Sequence, residues 1–421
     1  MDSEERLLRA FDLEEPDRVP LFELGINPHP LLKLLIFWKN IPRKLKKIIK
    51  NSGYYYEYID VVRENLGMGS NYRSLFRKPL MMKPAARFLF SIPVNWKQNY
   101  QKLLMYYLPI KLLTQYDGIG FPVFPSTKII GKKDGLMVLE SGMSVDIDPK
   151  TANIRWRSIA FPPNKDESIS YKQLKYILNI IDVNNFDWEF SIKSYQKIKW
   201  INICKPLTCL GFWEIWDSLY GVPYLSKFYY QISSEFRKKS GPILDLWNKL
   251  EKFFIEVIDR FSEIGAKIIG LLDDLVYDEG PFVNPKYYRK FLFPHYKKVI
   301  DHAHRRGMRI FLHTDGKLDS IIHDLISLGF DGLQSIQADV NNFREIKEKF
   351  GDKICLIGGI SSKRLEQANA NKIYSETKYK VSIGKVNGGY IAGSDNMIHD
   401  GVKIENLFAM LKAVKKYGKY R

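Results

Sequence analysis

Short apolar runs recur along the chain and alternate with longer segments in which apolar residues return every three or four positions. The first pattern is typical of buried strands, and the second is typical of helices packed against them. The predicted strands lie at residues 19–25, 118–125, 200–207, 267–272, 309–312, 332–336, 353–358 and 390–392. Long helices are predicted over 224–263 and 285–304. This alternation predicts an α/β fold of the (β/α)8 TIM-barrel type, with an open doubly wound sheet as the alternative.

Two segments interrupt the alternation of strands and helices. Residues 30–115 are rich in lysine and arginine and are broken by several prolines, which predicts a basic helical insertion. Residues 128–160 alternate polar and apolar positions around turn sequences, which predicts a small antiparallel β meander. We therefore expect a single domain over 1–421, in which the insertion acts as a cap.

The composition is that of a globular protein. The chain has 421 residues, of which 45% are hydrophobic and 14% aromatic. Its start is acidic, and no apolar stretch reaches the roughly 20 residues that cross a bilayer. The three cysteines, Cys204, Cys209 and Cys355, follow no metal or disulfide pattern. These features predict a cytoplasmic protein without a transmembrane segment and with reduced thiols.

Positive charge is concentrated in the insertion. The net charge is +18, and residues 31–115 hold 16 lysines and arginines against Glu57, Asp60 and Glu64. A basic segment interleaved with tyrosines can bind nucleic acid, acidic lipid or an acidic partner protein. The preferred interpretation is a solvated lysine-rich surface, and no nucleic-acid partner is expected.

Polar residues follow several of the apolar strands, and in a barrel these positions face one mouth. They are Asp117, Asp273, Asp274, His313, Asp315, Gln334, Gln337, Ser394, Asp395 and Asn396. His313 and Asp315 are two positions apart, so they share one side of an extended strand end. This spacing permits metal binding, acid–base catalysis or a hydrogen-bonded structural pair. We expect His313, Asp315 and either Asp395 or Asn396 to lie in one cluster.

Roles follow from these positions. The candidate catalytic residues are Asp117, Asp273, His313 and Asp315, and the candidate substrate-binding residues are Gln334, Gln337, Ser394 and Asp395. One of the adjacent Asp273 and Asp274 must point away from the mouth, and capping a helix is the alternative role for one of them. The alternative role for Asp117 is to cap a turn.

Five segments, in order along the whole chain, resemble the uroporphyrinogen decarboxylase superfamily, which includes the cobamide-dependent methyltransferases. They are residues 4–20, 273–316, 325–337, 348–360 and 387–420. The resemblance implies a (β/α)8 barrel, in agreement with the strand pattern. In the decarboxylase an arginine-rich loop after the first strand grips the carboxylates of the tetrapyrrole. Residues 22–29 occupy that place here, read FELGINPH and contain no arginine. Asp117 corresponds to the tetrapyrrole-facing aspartate by position.

The C-terminal half resembles the methyltransferase branch more closely. That branch binds zinc through a His-x-Cys sequence after the fifth strand and a cysteine after the eighth. His313 matches the histidine, and Asp315 and Asn396 stand at the two cysteine positions. The resemblance implies zinc or another divalent metal at His313, Asp315 and Asn396, and a corrinoid (cobamide) carried by a partner protein.

These observations predict a corrinoid-linked methyltransferase-like enzyme that acts on a small methylated substrate. A porphyrinogen decarboxylase of tetrapyrrole biosynthesis, which needs no metal, is the first alternative. The second alternative is a non-catalytic barrel that binds a tetrapyrrole or a partner protein.

Overall fold

The computed structural model describes residues 1–26, 106–107, 110–111, 114, 116–123, 129–133, 136–139, 144–147, 154–157, 183–186, 188–214, 225–399 and 401–420. Most of the basic insertion predicted over 30–115 therefore lies outside the described residues. Within them, no helix is both long and apolar enough to cross a membrane.

Strands are numbered in chain order within the described residues. They are β1 (Phe22–Glu23), β2 (Gly118–Ile119), β3 (Phe121–Pro122), β4 (Ile129–Lys133), β5 (Leu136–Leu139), β6 (Ser144–Ile147), β7 (Ile154–Arg157), β8 (Leu207–Leu210), β9 (Ile268–Leu272), β10 (Val276–Tyr277), β11 (Gly280–Pro281), β12 (Arg309–His313), β13 (Gly332–Ser335), β14 (Cys355–Ile360) and β15 (Tyr390–Ser394).

Helices alternate with the later strands. They are α1 (Ser3–Phe11), α2 (Trp188–Ile198), α3 (Leu225–Lys238), α4 (Pro242–Glu263), α5 (Pro285–Tyr287), α6 (Phe293–Arg305), α7 (Ile322–Leu328), α8 (Phe343–Phe350), α9 (Ser362–Gln367), α10 (Ala370–Gly384) and α11 (Ile404–Tyr417). A 3-10 turn spans Val183–Asn185, and a π-helical turn, Tyr288–Leu292, joins α5 to α6.

Seven strands form one parallel sheet in the order β15, β14, β13, β12, β9, β8, β3. The parallel α/β architecture predicted from the sequence is confirmed. β1 pairs in parallel with β2. Isolated parallel bridges also join Leu21 to Ala392 in β15 and Gly118 to Cys204, just before β8. The segment around β1 and β2 is therefore hydrogen-bonded toward both edges of the seven-stranded sheet.

A compact apolar cluster fills the space near the amino ends of the strands. Its buried members come from α1 and from six strands or strand starts: Leu7, Ala10, Phe11, Phe22, Cys204, Ile268, Phe311, Cys355, Ile357 and Ile391. The Phe311 ring lies 5.6 Å from that of Phe22, edge to face. Residue 270 must be glycine because a Cβ there would lie 2.2 Å from Phe311 Cζ. Helix α1 thus covers the amino ends of the strands with its apolar face.

The third predicted strand, over 200–207, was placed too early. Residues 201–203 form bends, and β8 begins only at Leu207. The Lys205 ammonium donates hydrogen bonds to the backbone oxygens of Ile201 and Ile203, at 2.8 and 2.7 Å, which holds this segment in a turn. Pro206 then lacks the N–H that a ladder needs.

The helix predicted over 224–263 is two helices, α3 and α4. They are separated at Lys239 and Gly241, whose φ angles of 59° and 153° are incompatible with a continuous helix. Elsewhere, β4 to β7 form a four-stranded antiparallel sheet in sequential order, inside the segment 128–160 for which a meander was predicted. The division into one domain with a cap stays a prediction.

Candidate functional site

Three polar side chains converge where β9 and β12 end. These strands are neighbours, and their register places His313 beside Leu272. Asp274 is two positions after Leu272 and Asp315 is two after His313, so both carboxylates reach the same side as the imidazole. His313 Nε2 lies 3.8 Å from Asp274 Oδ1 and 3.9 Å from Asp315 Oδ1. One ligating atom from each residue lies within 4.8 Å of the other two. We call this group the Asp–His–Asp cluster.

The imidazole of His313 is buried and held in one orientation. Its Nδ1 faces Gln334 Oε1 on the neighbouring β13 in a short hydrogen bond. Because an amide oxygen only accepts, Nδ1–H is the donor, and this assigns the tautomer that leaves Nε2 facing the two carboxylates. Gln334 Nε2 donates in turn to the Asn396 backbone oxygen at 3.3 Å. Gln334, predicted to bind substrate, thus contacts His313 and orients it.

Asp315 is also fixed by neighbours. Ser335 Oγ donates to its Oδ1 at 2.7 Å, and Asn396 Nδ2 donates to its Oδ2 at 2.6 Å. Its backbone N–H donates to Asp274 Oδ1 at 2.9 Å. Burial is the main cause that raises the pKa of Asp315, while His313 and the two donors act against it. Asn396, predicted as a metal ligand, thus turns its amide nitrogen to Asp315 and supports that carboxylate.

Backbone geometry shapes the edge of the cluster. Gly316 has a φ of 98°, and a Cβ there would lie 2.7 Å from the backbone of Tyr277, so only glycine lets the two loops touch. Gln337, a predicted substrate-binding residue, accepts from Gly316 N at 2.7 Å and donates to Asp278 at 3.2 Å. Ile336 is buried with a φ of 43°, a strained conformation for a β-branched residue.

Asp273 does not belong to the cluster, and its catalytic role stays a prediction. It is fully buried, and its carboxylate accepts the backbone N–H groups of Phe212, Trp213 and Glu214 at 2.6–2.9 Å, together with the Tyr296 hydroxyl. Burial raises the pKa of Asp273 to about 7, although the hydrogen bonds oppose this shift. Asp273 thus anchors the loop after β8, and Asp274 is the member of the pair that reaches the mouth.

Two residues at the end of β15, Ser394 and Asp395, also make structural contacts where substrate binding was predicted. Asp395 accepts the backbone N–H of Ser362 at 2.8 Å, at the start of α9, and that of Ala338 at 3.1 Å. The Ser394 hydroxyl donates to Glu23 Oε2 at 2.5 Å, and its N–H donates to Oε1 at 2.8 Å. Both side chains are buried and committed to these partners. They hold the strand end that carries Asn396.

Asp117 lies at the other end of the strands, which corrects its prediction at the mouth. It precedes β2, so it stands at the amino end of a parallel strand. Its oxygens accept from Arg6 at 2.6 Å and from Arg18 at 2.7 and 2.9 Å. A further bond comes from the Leu21 N–H at 3.0 Å. This buried ion-pair group, the Arg–Asp–Arg clasp, ties α1 and the segment before β1 to β2.

Glu23 is a buried acid that the sequence analysis did not single out. It lies on β1 with no exposed surface, and its partners are Ser394 and the Tyr116 hydroxyl, 3.0 Å from Oε1. Burial raises the pKa of Glu23 to about 7, and these hydrogen bonds lower it. A glutamate inside an otherwise apolar strand was the available signal, because such a residue needs buried partners.

The cluster can perform two kinds of chemistry. A group of two carboxylates and one imidazole nitrogen is a donor set for a divalent cation. The supporting contacts of Gln334, Ser335 and Asn396 are of the kind that orient metal ligands. Without a cation, a carboxyl of raised pKa beside a histidine can exchange protons with a substrate.

Residues 224–417 match the family model described as uroporphyrinogen decarboxylase (URO-D). Two curated relatives, from Methanosarcina barkeri and its strain Fusaro, are both named methylcobamide:CoM methyltransferase MtaA. They are 30% and 29% identical over 131 residues, which cover 31% of this chain and 37% of each relative. The match thus spans little more than a third of the length of these relatives. A solved methyltransferase from Methanosarcina mazei aligns over 99% of both chains with a TM-score of 0.60 and 16% identity, a likeness of fold alone.

Proposed function

Because this chain belongs to the uroporphyrinogen decarboxylase superfamily, we propose that it is a corrinoid-linked methyltransferase-like enzyme acting on a small methylated substrate at the Asp–His–Asp cluster. The observation that carries the proposal is the convergence of two carboxylates on the one available nitrogen of His313 at strand ends. Strand ends of this polarity are where parallel α/β enzymes place their chemistry. The curated relatives named as methylcobamide methyltransferases support the class of reaction.

Asp274, His313 and Asp315 would hold zinc or another divalent cation. All three cysteines are buried and lie outside the cluster, so the donor set is oxygen and nitrogen without thiolate. Such a set favours cations harder than those that thiolate sites select. When bound, the cation would supply Lewis acidity toward the heteroatom that carries the methyl group.

The chain's own residues prepare this site. Gln334 accepts a hydrogen bond from Nδ1–H of His313, which leaves Nε2 available to a ligand. Ser335 and Asn396 fix both oxygens of Asp315. Burial raises the pKa of Asp315, so this carboxyl exchanges protons closer to neutrality than an exposed aspartate does.

A porphyrinogen decarboxylase is the second candidate, and the charges disfavour it. Among the described residues, the mouth carries Asp274, Asp278 and Asp315, which would repel the carboxylates of a tetrapyrrole. Arg6 and Arg18 lie at the opposite end of the strands in the Arg–Asp–Arg clasp. The superfamily membership keeps this candidate open to test.

We also propose that the parallel sheet closes into an eight-stranded (β/α)8 barrel, with β2 and β3 counted as one interrupted strand. The bridges from Leu21 to Ala392 and from Gly118 to Cys204 support this closure. A corrinoid-carrying protein is the proposed partner, and an acidic one could dock on the basic segment 31–115. Such docking would weaken steeply above about 0.1 M salt.

The test of the metal site is a calorimetric titration of zinc into protein freed of metal by a chelator. We expect one binding event in the wild type and none in His313→Ala. Asp315→Cys should bind zinc more tightly, because thiolate is a softer donor than carboxylate. His302→Ala is the matched control, since His302 pairs with Asp259 on the outer helices. No uptake by either the wild type or Asp315→Cys would contradict the metal site.

The test of the reaction uses reduced cobalamin as the methyl acceptor. Methanol, a methylamine and a methoxyarene are offered as donors, and methylcobalamin is followed by its absorbance. We expect methylation with one donor class and its loss in His313→Ala. Decarboxylation of a porphyrinogen that persists in a chelator, without methyl transfer, would establish the second candidate instead.

A further inference from the structure

A cavity of about 340 Å³ opens at the amino ends of the strands, beside the Arg–Asp–Arg clasp. Four cationic side chains line it, from Arg6, Arg18, Lys111 and Lys415, whereas its lining carboxylates are Asp2 and Asp117. The parallel strands run from this cavity toward the Asp–His–Asp cluster, so the two lie at opposite ends of the fold. Nothing in the proposed methyl transfer uses this cavity.

The two carboxylates of the lining are already engaged. Asp117 accepts from both arginines, and Asp2 caps α1 by accepting the Glu5 N–H at 2.8 Å. Arg6 is further paired with Asp17, at 2.5 Å. Asp17 and Asp117 thus balance Arg6 and Arg18, and the two lysines exceed the remaining carboxylate of the lining, Asp2, by one positive charge.

Lys111 is the informative member of the lining. It is half-buried, and within the part of the chain that the structure describes its ammonium has no hydrogen-bonded acceptor. Burial lowers the pKa of Lys111, the charge of Asp117 acts against this shift, and the nearby Arg18 and Arg6 add to it. A cation held in such surroundings is costly unless an anion accompanies it. Lys415, on α11, brings a second ammonium to the same cavity.

We propose that this cavity binds a phosphoryl dianion, either free phosphate or the phosphate group of a small phosphomonoester. A phosphate group carries about −1.5 to −2 charges at neutral pH, so the excess positive charge of the lining attracts it. Arginine and lysine are the side chains that proteins use for phosphoryl groups. The cavity is at the small end of the range for ligand pockets, so an organic body the size of a sugar fits beside the phosphate.

The test is calorimetric titration of three probes into the full chain, kept free of metal by a chelator so that no cation at the Asp–His–Asp cluster binds phosphate. The probes are inorganic phosphate, ribose 5-phosphate and ribose. We expect binding of at least one phosphorylated probe and none of ribose. Tighter binding of ribose 5-phosphate indicates a phosphomonoester as the ligand, and equal or tighter binding of inorganic phosphate indicates free phosphate.

The variant is the double substitution Lys111→Gln with Lys415→Gln, and we expect it to weaken the phosphoryl probe at least tenfold. Neither ammonium holds another described residue by a hydrogen bond, so the fold should survive, which a thermal melt checks. Lys412→Gln is the matched control, an exposed lysine on the same helix that does not line the cavity. Absence of phosphate and ribose 5-phosphate binding in the wild type, or unchanged binding in the double variant, would overturn the proposal.

Discussion

Charged residues meet at both ends of the parallel strands, but the two groups are balanced differently. At the amino ends, each oxygen of Asp117 accepts from an arginine, and both arginines are bound in the same group. At the carboxyl ends, Asp274 and Asp315 crowd around His313, and within the described residues no lysine or arginine bonds to them. A cluster with balanced charges stabilises the fold, whereas a cluster with unbalanced charges is suited to hold a ligand.

The largest effect on stability is expected when Asp117 is removed from the Arg–Asp–Arg clasp. Asp117→Ala leaves two arginines without their buried counter-ion, so we expect a loss of about 3–5 kcal/mol in the free energy of unfolding, measured by urea titration. Glu5→Ala is the control, because it removes an exposed pair with Arg9 and should cost less than about 0.5 kcal/mol. A cost below about 1 kcal/mol for Asp117→Ala would mean that the clasp is not structural.

Glu23 is hydrogen-bonded to Tyr116, which precedes β2, and to Ser394, the last residue of β15. Its raised pKa should make the stability of the fold depend on pH. Its folded pKa of about 7 exceeds the ordinary value of 4.5, so the folded state binds the extra proton between these values. Stability from this group is full below pH 4.5 and falls as pH rises to about 7, by on the order of 3 kcal/mol. Glu23→Gln should remove this slope, while Asp273, whose pKa is also raised, contributes equally to both proteins. Parallel stability curves for the two proteins would contradict the assignment.

Substitutions around the Asp–His–Asp cluster should change ligand affinity rather than stability. Gln334→Ala frees the His313 ring to rotate, so we expect zinc affinity to fall 10- to 100-fold in calorimetry. Gln337→Ala is the control, because Gln337 contacts Gly316 and Asp278 and does not touch His313. Equal losses in the two variants would argue that the effect comes from the loop as a whole.

The smallest effect is expected at Asp395, which stands near the cluster but accepts the backbone N–H of Ser362 at the start of α9. Asp395→Ala removes the acceptor of two backbone N–H groups, one of them at a helix start, so it should cost about 0.5–2 kcal/mol of unfolding free energy and leave zinc affinity nearly unchanged. Asp395→Asn keeps one acceptor oxygen and should recover part of the stability. A large loss of zinc affinity in Asp395→Asn would place Asp395 among the functional residues.

The sequence predicted the strand ends well where an apolar run stopped abruptly at polar residues. His313 and Asp315 follow the run of β12, and their spacing alone placed them on one side. The pattern could not decide between Asp273 and Asp274, because that choice depends on the register of β9 against β12. Once Leu272 is known to pair with His313, the alternation of side chains selects Asp274.

Asp117 was misplaced for a different reason. It precedes its strand, so its position before β2 already assigned it to the amino end of a parallel sheet. The partners that explain it, Arg6 and Arg18, are 111 and 99 positions away in sequence, and no local pattern reveals such a contact. Gln334 and Asn396 were expected at the mouth, but which group each contacts depends on tertiary geometry.

Two contacts between distant parts of the chain also affect how quickly the molecule can fold. They are the bridge from Leu21 to Ala392 and the hydrogen bonds from Ser394 to Glu23. The Glu23–Ser394 contact joins residues 371 positions apart, whereas the Asp274–Asp315 contact joins residues only 41 apart. Because distant pairings are slow to form, we expect a growing chain to assemble the unit around β9 and β12 first. Strand β1 would then be among the last of these strands to pair, although it is synthesised before β9 and β12.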